Sequence, residues 1–298
     1  MNSIVQLDHV TRSFGSKLAL NDVSLKVDQG TVLGLVGENG SGKTTILKHV
    51  LGLLKPNTGT VSVFGMDPAR QPVPVLAQIG YLSEEDILPG WMRGYELQRY
   101  MQGFYPTWDQ EYADQLAKEF RLDLYAKLST LSKGQRARAG LMAALAYRPP
   151  LIVLDEPSSG LDPIVRHDIL SVIVRTIAEE GRTVILSSHH LAEVDRLADN
   201  VALVKNGEIA LYDALDTLKE EHITCTLVYE KANFSMPIFK GLVSISGSGR
   251  EWTALSKGTP ELLREEAERL GARVIDQRSA SLDEIFVGYS RPTHGASR

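Results

Sequence analysis

One cysteine, Cys225, stands in a chain of 298 residues. It can form neither an internal disulfide nor a multi-cysteine metal site, so a reduced intracellular protein is expected. Within the strand-like stretch 224–229 it reads as a small, half-buried residue. Long apolar runs are missing as well. The most apolar helical stretch, 139–147, ends at Arg148, Pro149 and Pro150, well short of the roughly 20 residues of a bilayer crossing. Any membrane role must then come through a partner. Residues 1–10 alternate polar and apolar side chains, without the basic head and apolar block of a signal peptide, which predicts a cytoplasmic location. Positive charge is in deficit, with 32 Lys and Arg against 37 Asp and Glu and a formal charge of -5. With no Lys/Arg run either, nucleic-acid binding is not expected. No repeat of fixed period appears, which sets aside solenoids and propellers.

What is present is an ordinary globular composition, 43% hydrophobic and 23% charged, with room for one large domain and a small one. From residue 4 to about 211, strand-like apolar runs alternate with longer helical patterns, which predicts an α/β layer architecture around a largely parallel central sheet. The candidate strands are 4–7, 32–36, 61–64, 151–154, 183–187, 201–204 and 208–211. Between 88 and 131 the chain turns polar, helical and aromatic-rich, the mark of an inserted helical subdomain. Most of its aromatics, Tyr95, Tyr100, Phe104, Tyr105, Trp108 and Tyr112, are expected to pack as core, the rest to form a docking surface. Past a helix ending near 221, short alternating runs, a helix over 260–270, a strand over 272–275 and a last helix over 282–288 read as a small α+β domain. The domains are placed at 1–218, with the helical subdomain at about 88–140, and at 219–298.

Gly37-Glu38-Asn39-Gly40-Ser41-Gly42-Lys43-Thr44 fits the G-x-x-x-x-G-K-[ST] loop, and it lies where that loop must lie, after the strand 32–36 and at the start of a helix. Glycines let backbone N–H groups turn inward around phosphates, and the helix N-terminus adds partial positive charge. Lys43 supplies a point charge to the β- and γ-phosphates of a nucleotide, and Thr44 a hydroxyl to Mg²⁺. The nucleotide-binding set read here is Gly37, Asn39, Gly40, Ser41, Gly42, Lys43, Thr44 and Thr45.

The run 151–154 is continuously apolar, as a strand buried on both faces should be, and it ends in Asp155-Glu156-Pro157. Alone, such a pair often just begins a solvated loop. Beside a phosphate loop it takes a role: Asp155 reaches Mg²⁺, and Glu156 accepts a proton from, or orients, the water that attacks the γ-phosphate.

Leu131-Ser132-Lys133-Gly134-Gln135 follows at a short distance upstream. Ser132 and Gln135 match a capping box opening the helix toward Tyr147, and the same five residues resemble the signature of ABC transporter ATP-binding subunits, with Lys133 where a glycine is usual. A capped helix N-terminus is also an anion site, so the two readings are compatible. The other elements of that family occur in its order. Ser158-Ser159-Gly160-Leu161-Asp162 resembles its cross-dimer loop, and Ser187-Ser188-His189 its switch histidine; His190 then reads as a surface residue at a helix start. Phe14 falls where the family stacks an aromatic on adenine. Glu84 stands where it usually has a glutamine near Mg²⁺ and the attacking water.

The resemblance covers about residues 4–211. It implies a P-loop NTPase of ABC type with a mixed central sheet, ATP and Mg²⁺ as ligands, and Glu156 and His189 as catalytic residues. Thr44, Asp155 and Glu84 would serve the metal, while Phe14 and Glu84 join the phosphate loop at the nucleotide. Ser132, Gly134, Gln135 and Asp162 would act on the nucleotide of a second subunit, in a homodimer or with a related ATPase. An integral membrane transporter subunit would hold the complex at the cytoplasmic face of the cell membrane, docked on the helical insert through residues such as Trp91, Met92 and Tyr95. The short C-terminal domain and its ending Ser281-Leu282-Asp283-Glu284-Ile285-Phe286 look like the subgroup serving ABC-2 type exporters. The rival reading is a soluble ABC ATPase acting on nucleic acid or the ribosome; the coiled-coil insertion, tandem ATPase domain or basic arm usual there is not visible. A nonhydrolytic regulator would lack Lys43, Glu156 or His189, and all three are present.

Overall fold

A computed structural model describes residues 3–85, 88–233 and 235–290. The chain opens with β1 (Ser3–Phe14) and β2 (Lys17–Asp28), then β3 (Val32–Val36), α1 (Lys43–Val50), β4 (Thr58–Val63), α2 (Pro72–Leu76) and β5 (Ile79–Leu82). A helical region follows, with α3 (Gly94–Phe104), α4 (Gln110–Glu119) and α5 (Lys133–Leu145). The α/β pattern resumes in β6 (Leu151–Asp155), α6 (Pro163–Glu180), β7 (Thr183–Ser188), α7 (Leu191–Leu197), β8 (Asn200–Lys205) and β9 (Glu208–Ala214). The remainder is α8 (Leu215–Glu221), β10 (His222–Asn233), β11 (Leu242–Lys257), α9 (Pro260–Arg269), β12 (Ala272–Ser279) and α10 (Leu282–Ser290).

Two compact units divide the chain. One runs to Ala198 and takes in Val204–Ile209; the other comprises Asp199–Leu203 and the chain from Ala210 onward. The boundary read at 218/219 falls inside α8.

The central sheet has the order β5-β6-β7-β3-β8-β9. Its pairs β5/β6, β6/β7 and β3/β7 are parallel. Strands β3, β6 and β7 are buried at every residue, which is why they read in the sequence as unbroken apolar runs. The last pair makes the sheet mixed. Only Asn206 and Gly207, both at positive φ, join β8 to β9, and a two-residue link between neighbours requires an antiparallel hairpin.

The runs 4–7 and 61–64 lie elsewhere, in a three-stranded antiparallel sheet of order β2-β1-β4. The alternating burial along β2 shows one face covered and one open, as antiparallel sheets allow. That alternation, rich in polar residues, also hid β2 from the sequence reading.

In the helical region a core forms around Met92, Leu97, Leu128, Ala139 and Ala143. The expectation that most of the aromatics pack as core is not met. Of the six, Tyr112 alone is buried, Tyr100 and Phe104 are exposed, and Tyr95, Tyr105 and Trp108 are half-buried. Aliphatic side chains fill the small space between these short helices, so the rings move outward.

In the second unit, the antiparallel sheet β11-β10-β12 packs a core that includes Cys225, Leu227, Trp252 and Leu263. Cys225 is fully buried rather than half-buried. Burial pushes its thiol up to about 11, so it is inert as a nucleophile at neutral pH. Among the described residues no helix is long and apolar enough to cross a membrane.

Candidate functional site

Strands β6, β7 and β3 are consecutive neighbours, so their carboxyl ends sit side by side, the place where parallel sheets bind ligands. β3 ends in the loop 37–42, β6 in Asp155 and Glu156, and β7 in Ser187, Ser188 and His189. The register sets Asp155 opposite Ser187 and Val36 opposite Ser188.

The loop takes its shape from glycine. A Cβ on Gly37 would stand 2.4 Å from the Val204 carbonyl oxygen, and Gly42, at φ 120°, opens α1 with a backbone that side chains rarely allow. Lys43 is buried, with Nζ donating to the carbonyl oxygens of Gly37 at 2.7 Å and Glu38 at 3.3 Å. The hydroxyl of Ser41 is buried without a hydrogen-bond partner among the described residues. A buried ammonium, an unsatisfied hydroxyl and a helix N-terminus together fit a phosphate chain.

One hydroxyl ties the Asp155 carboxylate to the Glu156 backbone. Ser187 Oγ donates to Asp155 Oδ1 at 2.6 Å and accepts from the Glu156 N–H at 3.0 Å. Thr44 Oγ1 donates to the same Asp155 oxygen at 3.2 Å. Hydroxyl and carboxylate oxygens held together are the hard donors that Mg²⁺ takes.

Glu156 has φ 49°, a left-handed conformation that costs a non-glycine residue about 1 kcal/mol or more and concentrates at functional positions. Its Oε1 lies 3.3 Å from Lys43 Nζ. Its Oε2 accepts from the His189 N–H at 3.2 Å and lies 2.6 Å from His189 Nδ1. A buried carboxylate beside an ammonium and an imidazole can accept or pass on a proton. The neighbouring His190 imidazole is held below its usual range, first by burial and then by the charges of His189 and Arg166.

Phe14, Asn39, Gly40, Gly42, Lys43, Thr44, Thr45, Glu84 and Glu156, nine of the residues expected from the sequence, line one cavity of about 390 Å³, joined by Lys17 and Ala19. Phe14 is 46% exposed, and the Arg12 guanidinium sits 4.8 Å from its ring centroid. Gly37, Asp155 and His189 do not line it but are bonded to the lining residues Lys43, Thr44 and Glu156, and Ser41 lies within the same loop. Ser132, Gly134, Gln135 and Asp162 line none of it. Ser132 and Gln135 close the capping box expected of them, at 3.3 and 3.0 Å. Gly134 lies against Val165, and Asp162 accepts from the N–H groups of Ile164 and Val165 at the start of α6.

Glu84 and Glu156 also border a second, mainly apolar cleft of about 530 Å³, walled by Leu53, Leu88, Leu97, Tyr100, Met101 and Tyr105 among others. The sequence reading missed Lys17, Ala19 and the orienting role of Ser187. A serine at a strand end carries no signal by itself; only the pairing of β6 with β7 sets it against the Asp155 carboxylate and the Glu156 N–H.

The ABC transporter family matches residues 20–159. The ABC transporter ATP-binding protein NatA of Bacillus subtilis (strain 168) is 34% identical, over 76% of this chain and 96% of its own. The Nod factor export ATP-binding protein I of Rhizobium sp. (strain N33) is 31% identical, over 95% of both chains. Among solved structures, a dimeric ATP-binding cassette in a post-hydrolysis state bound to ADP and Pi superposes with a TM-score of 0.63 at 25% identity, covering 71% of this chain and 98% of that one. With the glycine-rich loop 37–42, the Asp155–Glu156 pair and the strand-end His189 gathered around one cavity, and with relatives above 30% identity along nearly their whole length, the chain belongs to the ABC transporter family as an ATP-binding, ATP-hydrolysing subunit.

Proposed function

We propose that this subunit powers an ABC-2 type exporter, by closing on a second ATPase subunit around ATP and reopening after hydrolysis while an integral membrane subunit alternates its access. The second subunit is another copy or a close relative, and the assembly sits at the cytoplasmic face of the cell membrane. The observation that carries the closure is the position of the Ser132 helix start: it has the capped geometry of an anion site but lines none of the cavity of its own chain. Closure against a second subunit gives it a γ-phosphate to bind, together with Gly134, Gln135 and the loop at Asp162. The export relative and the dimeric cassette support the same reading.

Within one chain, Phe14 stacks on adenine, the loop 37–42 wraps the phosphates, and Lys43 turns from its backbone carbonyls to the β- and γ-oxygens. Thr44 and Asp155, with Glu84 lining the same cavity, would hold Mg²⁺, which would supply charge neutralisation to the phosphates. Glu156 orients the attacking water and takes its proton, and His189 holds the Glu156 carboxylate from the far side. The apolar cleft beside the helical region receives the membrane subunit.

The test is Glu156→Gln, which keeps the size of the side chain and removes the base. In light scattering, the variant is expected to accumulate a dimer with ATP and Mg²⁺ and to remain monomeric with ADP. Equal dimerisation with ADP would break the link to the γ-phosphate, and undiminished hydrolysis would remove Glu156 from the catalytic role.

A further inference from the structure

Glu193, on α7, is a buried carboxylate, 4% exposed, outside the cavity lining. Both of its oxygens are engaged. Ser158 Oγ donates to Oε1 at 2.5 Å, and Ser188 Oγ donates to Oε2 at 3.1 Å. Arg166 Nε lies 3.5 Å from Oε1 and balances the charge. The two serines belong to different parts of the machinery: Ser158 lies in the loop that runs from Glu156 to Asp162, and Ser188 ends β7 directly before His189. Ser188 Oγ in turn accepts the His190 N–H at 2.9 Å, and the rings of His189 and His190 lie 4.1 Å apart.

We propose that Glu193 is a positioning residue for ATP hydrolysis, a brace whose two oxygens hold the loop after β6 and the end of β7 in fixed register, so that His189 stays against Glu156. A carboxylate accepting from two hydroxyls is directional at both ends. Desolvation makes each bond hard to exchange for water. Hydrolysis depends on this register because a catalytic group displaced by about 1 Å can lose on the order of 100-fold in rate. Nucleotide binding does not depend on it, because Lys43, Thr44 and the loop 37–42 are anchored from β3 and α1. The role rests on the ATPase reading of Glu156 and His189.

The test compares the full chain with Glu193→Ala, Glu193→Gln and Ser158→Ala, using steady-state hydrolysis of Mg·ATP and binding of a fluorescent ATP analogue. Glu193→Ala should lower kcat by about 10- to 100-fold while KM and analogue affinity stay within about threefold. Glutamine keeps one acceptor and offers a donor to the other serine, so Glu193→Gln should recover much of the loss. Ser158→Ala should lower kcat alone but add little in the Glu193→Ala background, because both remove the same tie. Turnover within about twofold of the parent in Glu193→Ala would overturn the proposal. So would an equal fall in analogue affinity and melting temperature in Glu193→Gln, which marks general structural damage. Glu156→Gln run alongside separates the two claims: if it too retains full turnover, the reading of the site fails, and if it alone is inactive, only the brace fails.

Discussion

Lys43 carries the strongest single-residue claim. Its ammonium is buried between two carbonyl oxygens and the Glu156 carboxylate, so it is both the proposed phosphate ligand and the counter-charge of the proposed base. Lys43→Ala removes both at once and leaves Glu156 Oε1 without its cation, while Oε2 keeps His189. ATP affinity should fall strongly and turnover by at least about 100-fold, read by analogue binding and phosphate release; turnover within about twofold of the parent would remove Lys43 from the site. Lys43 was legible because glycine spacing before a helix states its own chemistry. Ser187 was not, since its role depends on a strand 32 positions away.

Among the elements, α10 shows how a local signal becomes a measurable property. Ser281 and Glu284 form a capping box at its start, at 2.8 and 3.2 Å, and Glu284 also accepts from both terminal nitrogens of Arg278. The Arg278 hydrogen bonds, ahead of those from Ser281, hold the Glu284 carboxyl down to about 2 from an ordinary value of 4.5. A depressed carboxylate contributes stability that is present above its unfolded value and lost as the pH falls through its folded one. Arg278 is more than half exposed, so solvent screens the pair and its worth is about 1 kcal/mol. Glu284→Gln keeps the cap and loses the charge. In a chain with Trp91 and Trp108 replaced by Phe, melts followed at the buried Trp252 should show this variant less stable than its parent at neutral pH, with the gap closing as the pH falls from about 4.5 to about 2. A gap independent of pH would mean that the charge contributes nothing.

At the scale of the whole molecule, the prediction concerns the partner. The cleft is lined mainly by apolar side chains, and Trp91, two positions after the lining residue Pro89, is 72% exposed. A photocrosslinker at position 91 should link the chain to a span-containing subunit when the complex is drawn from membranes. Repeated failure in a preparation that still hydrolyses ATP would move the docking surface elsewhere.

By itself the sequence determined the glycine-rich loop before α1, the carboxylate pair, the cap at Ser132 and the strands read at 32–36, 151–154 and 183–187, because each is written in neighbouring residues whose spacing or burial is local. Tertiary structure decided the rest. The separate antiparallel sheet of β1, β2 and β4, the outward aromatics of the helical region, and the ties of Ser187 and Glu193 depend on which strands and helices become neighbours. Sheet order and register are properties of contacts distant in the chain, and no local pattern encodes the side chain that will stand opposite.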